Sequence, residues 1–113
     1  MSHCLFCKVA TGEIPADVVH ADDQSIAFRD IAPQAPVHVL VIPREHRSSL
    51  LDREESAGLF AHLLDVCARV AEAEGVEESG FRVVTNIGSD GGQSVGHLHF
   101  HVLGGRSLSW PPG

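Results

Sequence analysis

The run Val37–Ile42 constrains the fold more than any other segment, because it consists almost entirely of β-branched residues and leucine. Such a run predicts a strand that is covered on both faces, since a strand with one face in water alternates apolar and polar residues. The segment Arg53–Glu74 predicts a long amphipathic helix that would cover one face. Its apolar residues recur at helical spacing, at Leu59, Leu63, Val66 and Val70.

The remaining elements are short. Cys4–Thr11 predicts a short helix, which Gly12 ends. The other predicted segments are strands at Val18–Ala21, Ser25–Arg29, Phe81–Ile87 and His97–Leu103, a glycine-rich loop at Gly88–Gly96 and a non-helical tail at Ser107–Gly113. This order predicts an α+β fold with one antiparallel sheet, and no repeat or linker divides residues 1–113 into more than one domain.

Composition excludes some classes of protein. The chain has 113 residues, of which 43% are hydrophobic, as expected for a globular domain. Its 15 acidic and 8 basic residues give a formal net charge of −7, which argues against a general binder of nucleic acid or of anionic membranes. No apolar run approaches the roughly 20 residues of a membrane span, and the N-terminus lacks the pattern of a secretory signal. We therefore expect a cytoplasmic protein.

The segment His97–Leu103 places three histidines on one face of a strand and apolar residues on the other, because strand side chains alternate. A single histidine is usually an ordinary half-buried residue, but three in alternation need another explanation. Imidazole is the commonest metal ligand, which favours a transition-metal site. A neutral imidazole can also attack phosphorus while its neighbours donate hydrogen bonds to the phosphate. The pattern leaves both interpretations open.

The loop that precedes this segment favours phosphate. Gly88–Ser94 contains three glycines, which let the backbone approach a ligand closely, so that amide groups and the Ser94 hydroxyl could surround a phosphate. Glycine-rich turns between strands are common, and the loop alone is weak evidence. Its position directly before three histidines makes an anion site the better interpretation.

Cys4 and Cys7 have the two-residue gap of half a zinc site. A redox pair has the same spacing, but it normally opens a helix that follows a strand, and no strand is predicted before Cys4. Two reduced, half-buried thiols are a third interpretation. Cys67 lies among the apolar residues of the long helix and is expected to be an ordinary buried thiol.

The segment His97–Leu103 matches the pattern His-φ-His-φ-His-φ-φ, where φ is apolar, and here the chain resembles the histidine triad (HIT) superfamily. Phe28–Pro36, Gly88–Ser94, Leu103–Arg106 and Trp110–Gly113 resemble its histidine triad nucleotide-binding (Hint) branch. The resemblance implies a five-stranded antiparallel sheet with a short N-terminal helix and one long helix. It also implies a homodimer in which the sheet continues from one subunit into the other.

The resemblance implies an adenosine 5′-phosphoramidase type of activity, in which a purine nucleoside phosphoramidate gives a nucleoside monophosphate and an amine. His99 would be the nucleophile that forms a covalent nucleotidyl-histidine. His101 and Ser94 would contact the phosphate and the leaving group, and His38 would belong to a relay behind the triad. Such chemistry requires no metal ion, because imidazoles and loop amides would stabilise the phosphoryl oxygens.

Further residues are implied to bind the nucleotide. Asp30 would hold the ribose hydroxyls, and Trp110 lies in a C-terminal segment that reaches the partner subunit's site in the family. The base pocket would be lined by Phe6, Ile14 and Ile31. The phosphate and sugar would be contacted by Asn86, Gly92 and Gln93.

The resemblance also completes the zinc site and supplies alternative functions. Zinc-binding members of the superfamily pair two cysteines with two histidines, which here would be His46 and His97, and a structural zinc is therefore expected at Cys4, Cys7, His46 and His97. Sister branches hydrolyse dinucleoside polyphosphates or transfer nucleotidyl groups. A nucleotide-binding interaction protein with incidental hydrolysis is a third possibility.

Overall fold

A computed structural model describes residues 3–113, in which two helices accompany one sheet of five strands. In chain order the elements are α1 (Leu5–Ala10), β1 (Val18–Ala21), β2 (Ser25–Arg29), β3 (Val37–Pro43), α2 (Ala57–Ala73), β4 (Phe81–Val84) and β5 (Phe100–Gly104). All neighbouring strands are antiparallel, and their order across the sheet is β1-β2-β3-β5-β4. The expected antiparallel sheet with a short and a long helix is confirmed.

β3 is the central strand, and its two faces pack into different clusters. Val39 and Val41 point towards α2, where they join the larger hydrophobic core. Leu40 and Ile42 point the other way and pack with Phe6 of α1. The strand is therefore covered on both faces, as its composition predicts.

α2 packs its apolar stripe against the sheet. Leu63, Val66 and Val70 are at most 2% exposed and contact Leu98 and other residues of the larger core. Full burial of one such side chain stabilises the fold by roughly 1.5–3 kcal/mol. Neither helix in residues 3–113 is long and apolar enough to cross a lipid bilayer.

α2 begins at Ala57, four residues later than predicted. Glu55 has a φ of 54°, a left-handed conformation that a right-handed helix cannot contain. Ser56 follows as a fully buried residue, and its hydroxyl accepts a hydrogen bond of 2.8 Å from Nε of Arg47. The polar segment at residues 53–56 is therefore a turn that anchors the helix instead of its first turn.

β5 begins at Phe100, so the predicted strand at His97–Leu103 is three residues too long at its start and one too short at its end. The residues just before Phe100 form hydrogen bonds with groups outside the sheet ladder. The Leu98 amide donates to the Arg47 carbonyl at 2.6 Å, and the His99 carbonyl accepts from the Thr85 hydroxyl at 2.8 Å. β4 likewise ends at Val84 and not at the predicted Ile87, and the next residue, Thr85, makes this side-chain hydrogen bond to His99.

Asp22 ties the hairpin of β1 and β2 to α2. One carboxylate oxygen accepts the amide hydrogens of Gln24 and Ser25, both at 2.8 Å, and the other accepts from Nε2 of His20 at 2.7 Å and of His62 at 2.9 Å. Burial alone would raise the pKa of Asp22, but these hydrogen bonds lower it well below its usual range. His20 and His62 therefore contact a structural carboxylate.

Candidate active site

A pocket of about 530 Å³ opens between α1, β2 and the segment that carries the histidines. Its volume is in the range of small-molecule sites, and it combines apolar walls with a few polar groups. Seven of the residues implied by resemblance line it: Phe6, Ile14, Asp30, Ile31, Ser94, His99 and His101.

His99 lies at the inner wall of this pocket and is 3% exposed. Its Nδ1 donates a hydrogen bond of 2.7 Å to the carbonyl oxygen of His97, which can only accept. In the neutral ring the lone pair is therefore on Nε2. The Phe6 ring packs edge-on against His99, with centroids 5.1 Å apart and planes at 83°, and this contact restrains the imidazole.

His38 and His101 form a chain of hydrogen bonds behind the pocket. The Gln34 amide donates to Nδ1 of His38 at 3.0 Å, so the proton of a neutral His38 is on Nε2. Nε2 lies 2.9 Å from Nδ1 of His101 and donates to it. The proton of a neutral His101 is therefore on Nε2, and the residue lines the pocket.

Burial keeps both of these imidazoles neutral near pH 7. The pKa of His101 is lowered to about 4, mainly by burial and also by the neighbouring His99 and His38, against the opposing effect of Asp30. Burial likewise lowers the pKa of His38, again opposed by Asp30. Neither ring is therefore charged at rest, and the hydrogen bond between them holds the proton of His101 on Nε2.

Asp30 directly follows β2 and lines the pocket. One carboxylate oxygen accepts the Ala32 amide hydrogen at 2.8 Å, and the other lies 3.4 Å from Nε2 of His38. Ile31, the next residue, is fully exposed at the rim. Asp30 thus has a structural role in its turn and a carboxylate oxygen available beside the pocket.

The other residues implied to contact phosphate lie outside the pocket lining and shape the loop. Gln93 accepts the Gly88 amide hydrogen at 3.1 Å, and its Nε2 donates to the Ser48 carbonyl at 2.8 Å. Asn86 donates to the Gly91 carbonyl at 2.7 Å. Gly92 has a φ of 76° and its amide donates to the carbonyl of Ser89 at 3.1 Å. These bonds hold the loop that brings Ser94 to the pocket.

Cys4, Cys7, His46 and His97 place four donor atoms within 4.8 Å of one another and could hold a metal ion. Nδ1 of His97 lies 3.2 Å from Sγ of Cys4 and 3.2 Å from Nδ1 of His46, and Sγ of Cys7 lies 3.4 Å from Nδ1 of His46. Nε2 of His97 donates to the Pro43 carbonyl at 2.9 Å, so the lone pair on Nδ1 faces the other donors.

The family assignment follows from the sequence profile of the HIT domain, which matches residues 11–108. The chain belongs to the HIT domain family. An uncharacterized HIT-like protein of Synechococcus elongatus is 54% identical over 110 residues, which is 96% of each chain. This relative therefore aligns with nearly the whole of the chain.

Solved structures show the same HIT fold. A HIT family hydrolase from Legionella pneumophila is 51% identical with a TM-score of 0.96, covering 98% of this chain and 100% of that one. A histidine triad protein from Clostridium difficile is 44% identical with a TM-score of 0.93, covering 96% of both chains. A HIT family hydrolase from Clostridium thermocellum is 40% identical with a TM-score of 0.91, again over 96% of both. The chain thus has the fold of HIT family hydrolases.

Much of the apolar lining of the HIT domain pocket was not predicted from the sequence. Phe28 and Leu40 are opposite each other in the register of β2 and β3, and both line the pocket. The period of two within these strands could have identified them, because the residues that do not face α2 must face the other side. The lining residues without a prediction are Leu5, Val9, Pro15, Ala16, Asp17, Phe28, Arg29, Leu40 and Val95.

The C-terminal tail of the HIT domain runs outside its own pocket. Nη2 of Arg82 donates to the Ser109 carbonyl at 2.8 Å, which fastens the tail to β4. Trp110 is 82% exposed and does not line the pocket of the same chain. A role for Trp110 in binding nucleotide would therefore need a site on a second subunit.

Proposed function

We propose that this protein is a purine nucleoside phosphoramidate hydrolase of the Hint branch, which releases a nucleoside monophosphate and an amine through a covalent nucleotidyl-His99. The observation that carries the proposal is the hydrogen bond from Nδ1 of His99 to the His97 carbonyl. It leaves the lone pair on Nε2 of a side chain that lines the pocket. A neutral imidazole in this tautomer is a competent nucleophile.

In the first step Nε2 of His99 attacks phosphorus, the new N–P bond forms and the bond to the amine breaks. The amine is a poor leaving group unless it gains a proton, which Nε2 of His101 supplies. Nε2 of His38, 2.9 Å away, keeps its proton and donates a hydrogen bond to Nδ1 of His101, which stabilises His101 until water restores the donated proton. Water then attacks phosphorus, returns a proton to this pair and releases His99 and the nucleoside monophosphate.

The pocket divides into parts that suit a nucleotide. Phe6, Ile14 and Phe28 give an apolar wall for the base, and Asp30 offers a carboxylate oxygen to the ribose hydroxyls. Ser94, at the end of the glycine-rich loop, offers a hydroxyl to the phosphate beside His99. A chain with a net charge of −7 needs such local donors to bind an anion.

Intact-mass analysis after brief mixing with an adenosine phosphoramidate tests this proposal. We expect the mass of one nucleotidyl group to appear on the wild-type protein and to be absent from His99→Ala. Turnover of diadenosine polyphosphate in place of phosphoramidate would instead assign the protein to a sister activity. Nucleotide binding without adduct or turnover in the wild-type protein would support an interaction protein and overturn the proposal.

We also propose that the Cys4, Cys7, His46 and His97 cluster holds a structural zinc ion. Bond lengths of about 2.3 Å to sulfur and about 2.0 Å to nitrogen place the donors of a tetrahedral zinc about 3.3–3.8 Å apart. The separations from His97 and His46 to the neighbouring sulfurs are 3.2–3.5 Å. Elemental analysis is expected to find one zinc per chain in the wild-type protein and none in a Cys4→Ser, Cys7→Ser variant.

A homodimer that continues the sheet through β4 is a further proposal. β4 pairs only with β5 within the part of the chain that the structure describes, and its other edge is open. Phe81 and Val83 on this strand are 38% and 37% exposed. Open edges of this kind are templates for pairing with another chain. Light scattering is expected to give twice the chain mass, and Val83→Pro to give a monomer.

A further inference from the structure

Cys4 and Cys7 lie at the start of α1 in an arrangement that suits a disulfide. Cys4 is the N-cap residue, and its sulfur accepts a hydrogen bond of 3.4 Å from the Cys7 amide. The two sulfurs are within 4.8 Å of each other, and both side chains are partly exposed. Two cysteines with this spacing at the start of a helix are the arrangement found in disulfide oxidoreductases, so the pair is suited to the roughly 2.05 Å bond of a disulfide.

We propose that Cys4 and Cys7 are a reversible oxidation site at which disulfide formation competes with metal binding and loosens the support of His99. The oxidant is a low-molecular-weight disulfide such as oxidised glutathione. One cysteine sulfur attacks it and releases one thiol; the second cysteine sulfur then attacks the mixed disulfide and releases the other. The two cysteines lose two electrons, and the oxidant is reduced to two thiols.

The protons of these thiols come from the cysteines, or from water where the sulfurs were metal-bound thiolates. A disulfide sulfur is a poor ligand, because the thiolate is the form that binds metal. Oxidation therefore removes two of the four ligands at once, and the metal ion leaves. This inference rests on the proposed zinc site but requires no turnover of substrate.

His97 connects the cysteines to the nucleophile. Its ring lies against them, with Nδ1 3.2 Å from Sγ of Cys4 and 3.5 Å from Sγ of Cys7. Its carbonyl oxygen is the acceptor that holds Nδ1 of His99. The ring of His97 belongs to the proposed metal site, and its carbonyl oxygen orients the nucleophile. A change at the metal site therefore affects His99. Loss of the metal thus leaves the tautomer and position of His99 less restrained.

Cys67 provides a control within the same chain. It belongs to α2, is 1% exposed in the larger core, and burial raises its pKa to about 12. The thiolate is the reactive form, so Cys67 is expected to stay reduced under conditions that oxidise the other two cysteines. A Cys67→Ser variant keeps Cys4 and Cys7 and removes any ambiguity about which residues react.

The test uses the full chain of Cys67→Ser, loaded with one equivalent of zinc and treated with oxidised glutathione. Intact mass is expected to fall by two hydrogens while a chromogenic chelator detects released zinc in equal amount, and dithiothreitol with zinc is expected to reverse both. Cys4→Ser is expected to form a mixed disulfide with glutathione instead. Three results would each overturn the proposal that disulfide formation competes with metal binding: failure to bind zinc, loss of zinc without the disulfide, or a disulfide that retains zinc.

The link to the nucleophile has its own readout. Nitrogen NMR of the histidine rings is expected to show His99 protonated at Nδ1 in the zinc-loaded protein and a mixture of tautomers after oxidation, whether or not any substrate is turned over. If the proposed hydrolase activity is also present, kcat should fall roughly tenfold on oxidation and recover on reduction. An unchanged His99 signal in the oxidised protein would overturn the link even if hydrolysis were absent altogether.

Discussion

Nε2 of His38 lies 2.9 Å from Nδ1 of His101, and this contact connects the pocket to the turn that precedes β3. The direction of the bond is set by the Gln34 amide, which donates to the other nitrogen of His38. Gln34 is held in turn by Arg106, whose Nε and Nη2 both lie 3.1 Å from its carbonyl. Main-chain groups therefore determine which nitrogen of each ring carries a proton.

Replacing His38 by Ala should lower kcat for an adenosine phosphoramidate roughly ten- to a hundredfold, with a smaller change in KM. The reason is that His101 would lose the hydrogen-bond donor that fixes its tautomer and stabilises it after proton transfer. Steady-state kinetics measures the effect. His62→Gln is the matched control, because His62 contacts Asp22 and not the pocket. A folded His38→Ala protein with wild-type kcat would contradict the relay.

Acid should destabilise the fold through His101. Its pKa is lowered to about 4 in the folded protein, against about 6.5 in the unfolded chain, so between these values the unfolded chain binds more protons. The stabilisation is therefore complete above pH 6.5 and is lost as pH falls towards 4, by roughly 2–3 kcal/mol. His38, whose pKa is also lowered, acts in the same direction.

Urea unfolding from pH 7.5 to 4.5 in the presence of a chelator, which removes the contribution of any metal, measures this loss. His101→Gln should show a shallower fall in the free energy of unfolding over the same range. Identical pH dependence in the two proteins would show that His101 does not supply the effect.

Much of the fold could be predicted because the period of apolar residues is local. The nearly unbroken run of β-branched residues and leucine in β3 indicates two buried faces, and the apolar stripe of α2 indicates its packing. The ends of elements could not be predicted, because they depend on partners distant in sequence. The Leu98 amide bonds to the Arg47 carbonyl, and no pattern near the histidines indicates that contact.

The candidate site could likewise be predicted only in part. The resemblance to the HIT superfamily implied that His99 and His101 lie near Asp30, and all three line the pocket. The roles of loop residues were less accessible. Gln93 uses both ends of its amide to hold the loop and Ser48, a long-range contact that the composition of the loop does not indicate.

Gly91→Ala should distort the loop that carries Ser94. A Cβ at this position would lie 2.2 Å from the Ile87 carbonyl oxygen, which belongs to the backbone and cannot move aside cheaply. We expect a loss of roughly 1–3 kcal/mol in the free energy of unfolding, measured in urea, and a raised KM. Gly96→Ala is the control, because a Cβ there meets nothing within 4 Å. Equal stability of the two variants would contradict the close approach of residue 91 to the Ile87 carbonyl oxygen.

Asp30→Asn should weaken recognition of the ribose. Asn retains the oxygen that caps the Ala32 amide but removes the negative charge offered to the sugar hydroxyls. A hydrogen bond to a charged group contributes about 1.5–3 kcal/mol, so kcat/KM for a ribonucleoside phosphoramidate should fall roughly ten- to a hundredfold. The 2′,3′-dideoxy substrate, which has no hydroxyl for the carboxylate to bind, should lose little further activity with the variant.

This pair of substrates and proteins forms a double-mutant cycle, which isolates the contact from other effects of the substitution. Asp30 also lies 3.4 Å from Nε2 of His38, so part of any loss could act through the relay. A loss through the relay would be the same for both substrates, whereas a loss of ribose contact would appear with the ribonucleotide alone. Equal losses would therefore assign Asp30 to the relay and not to the sugar.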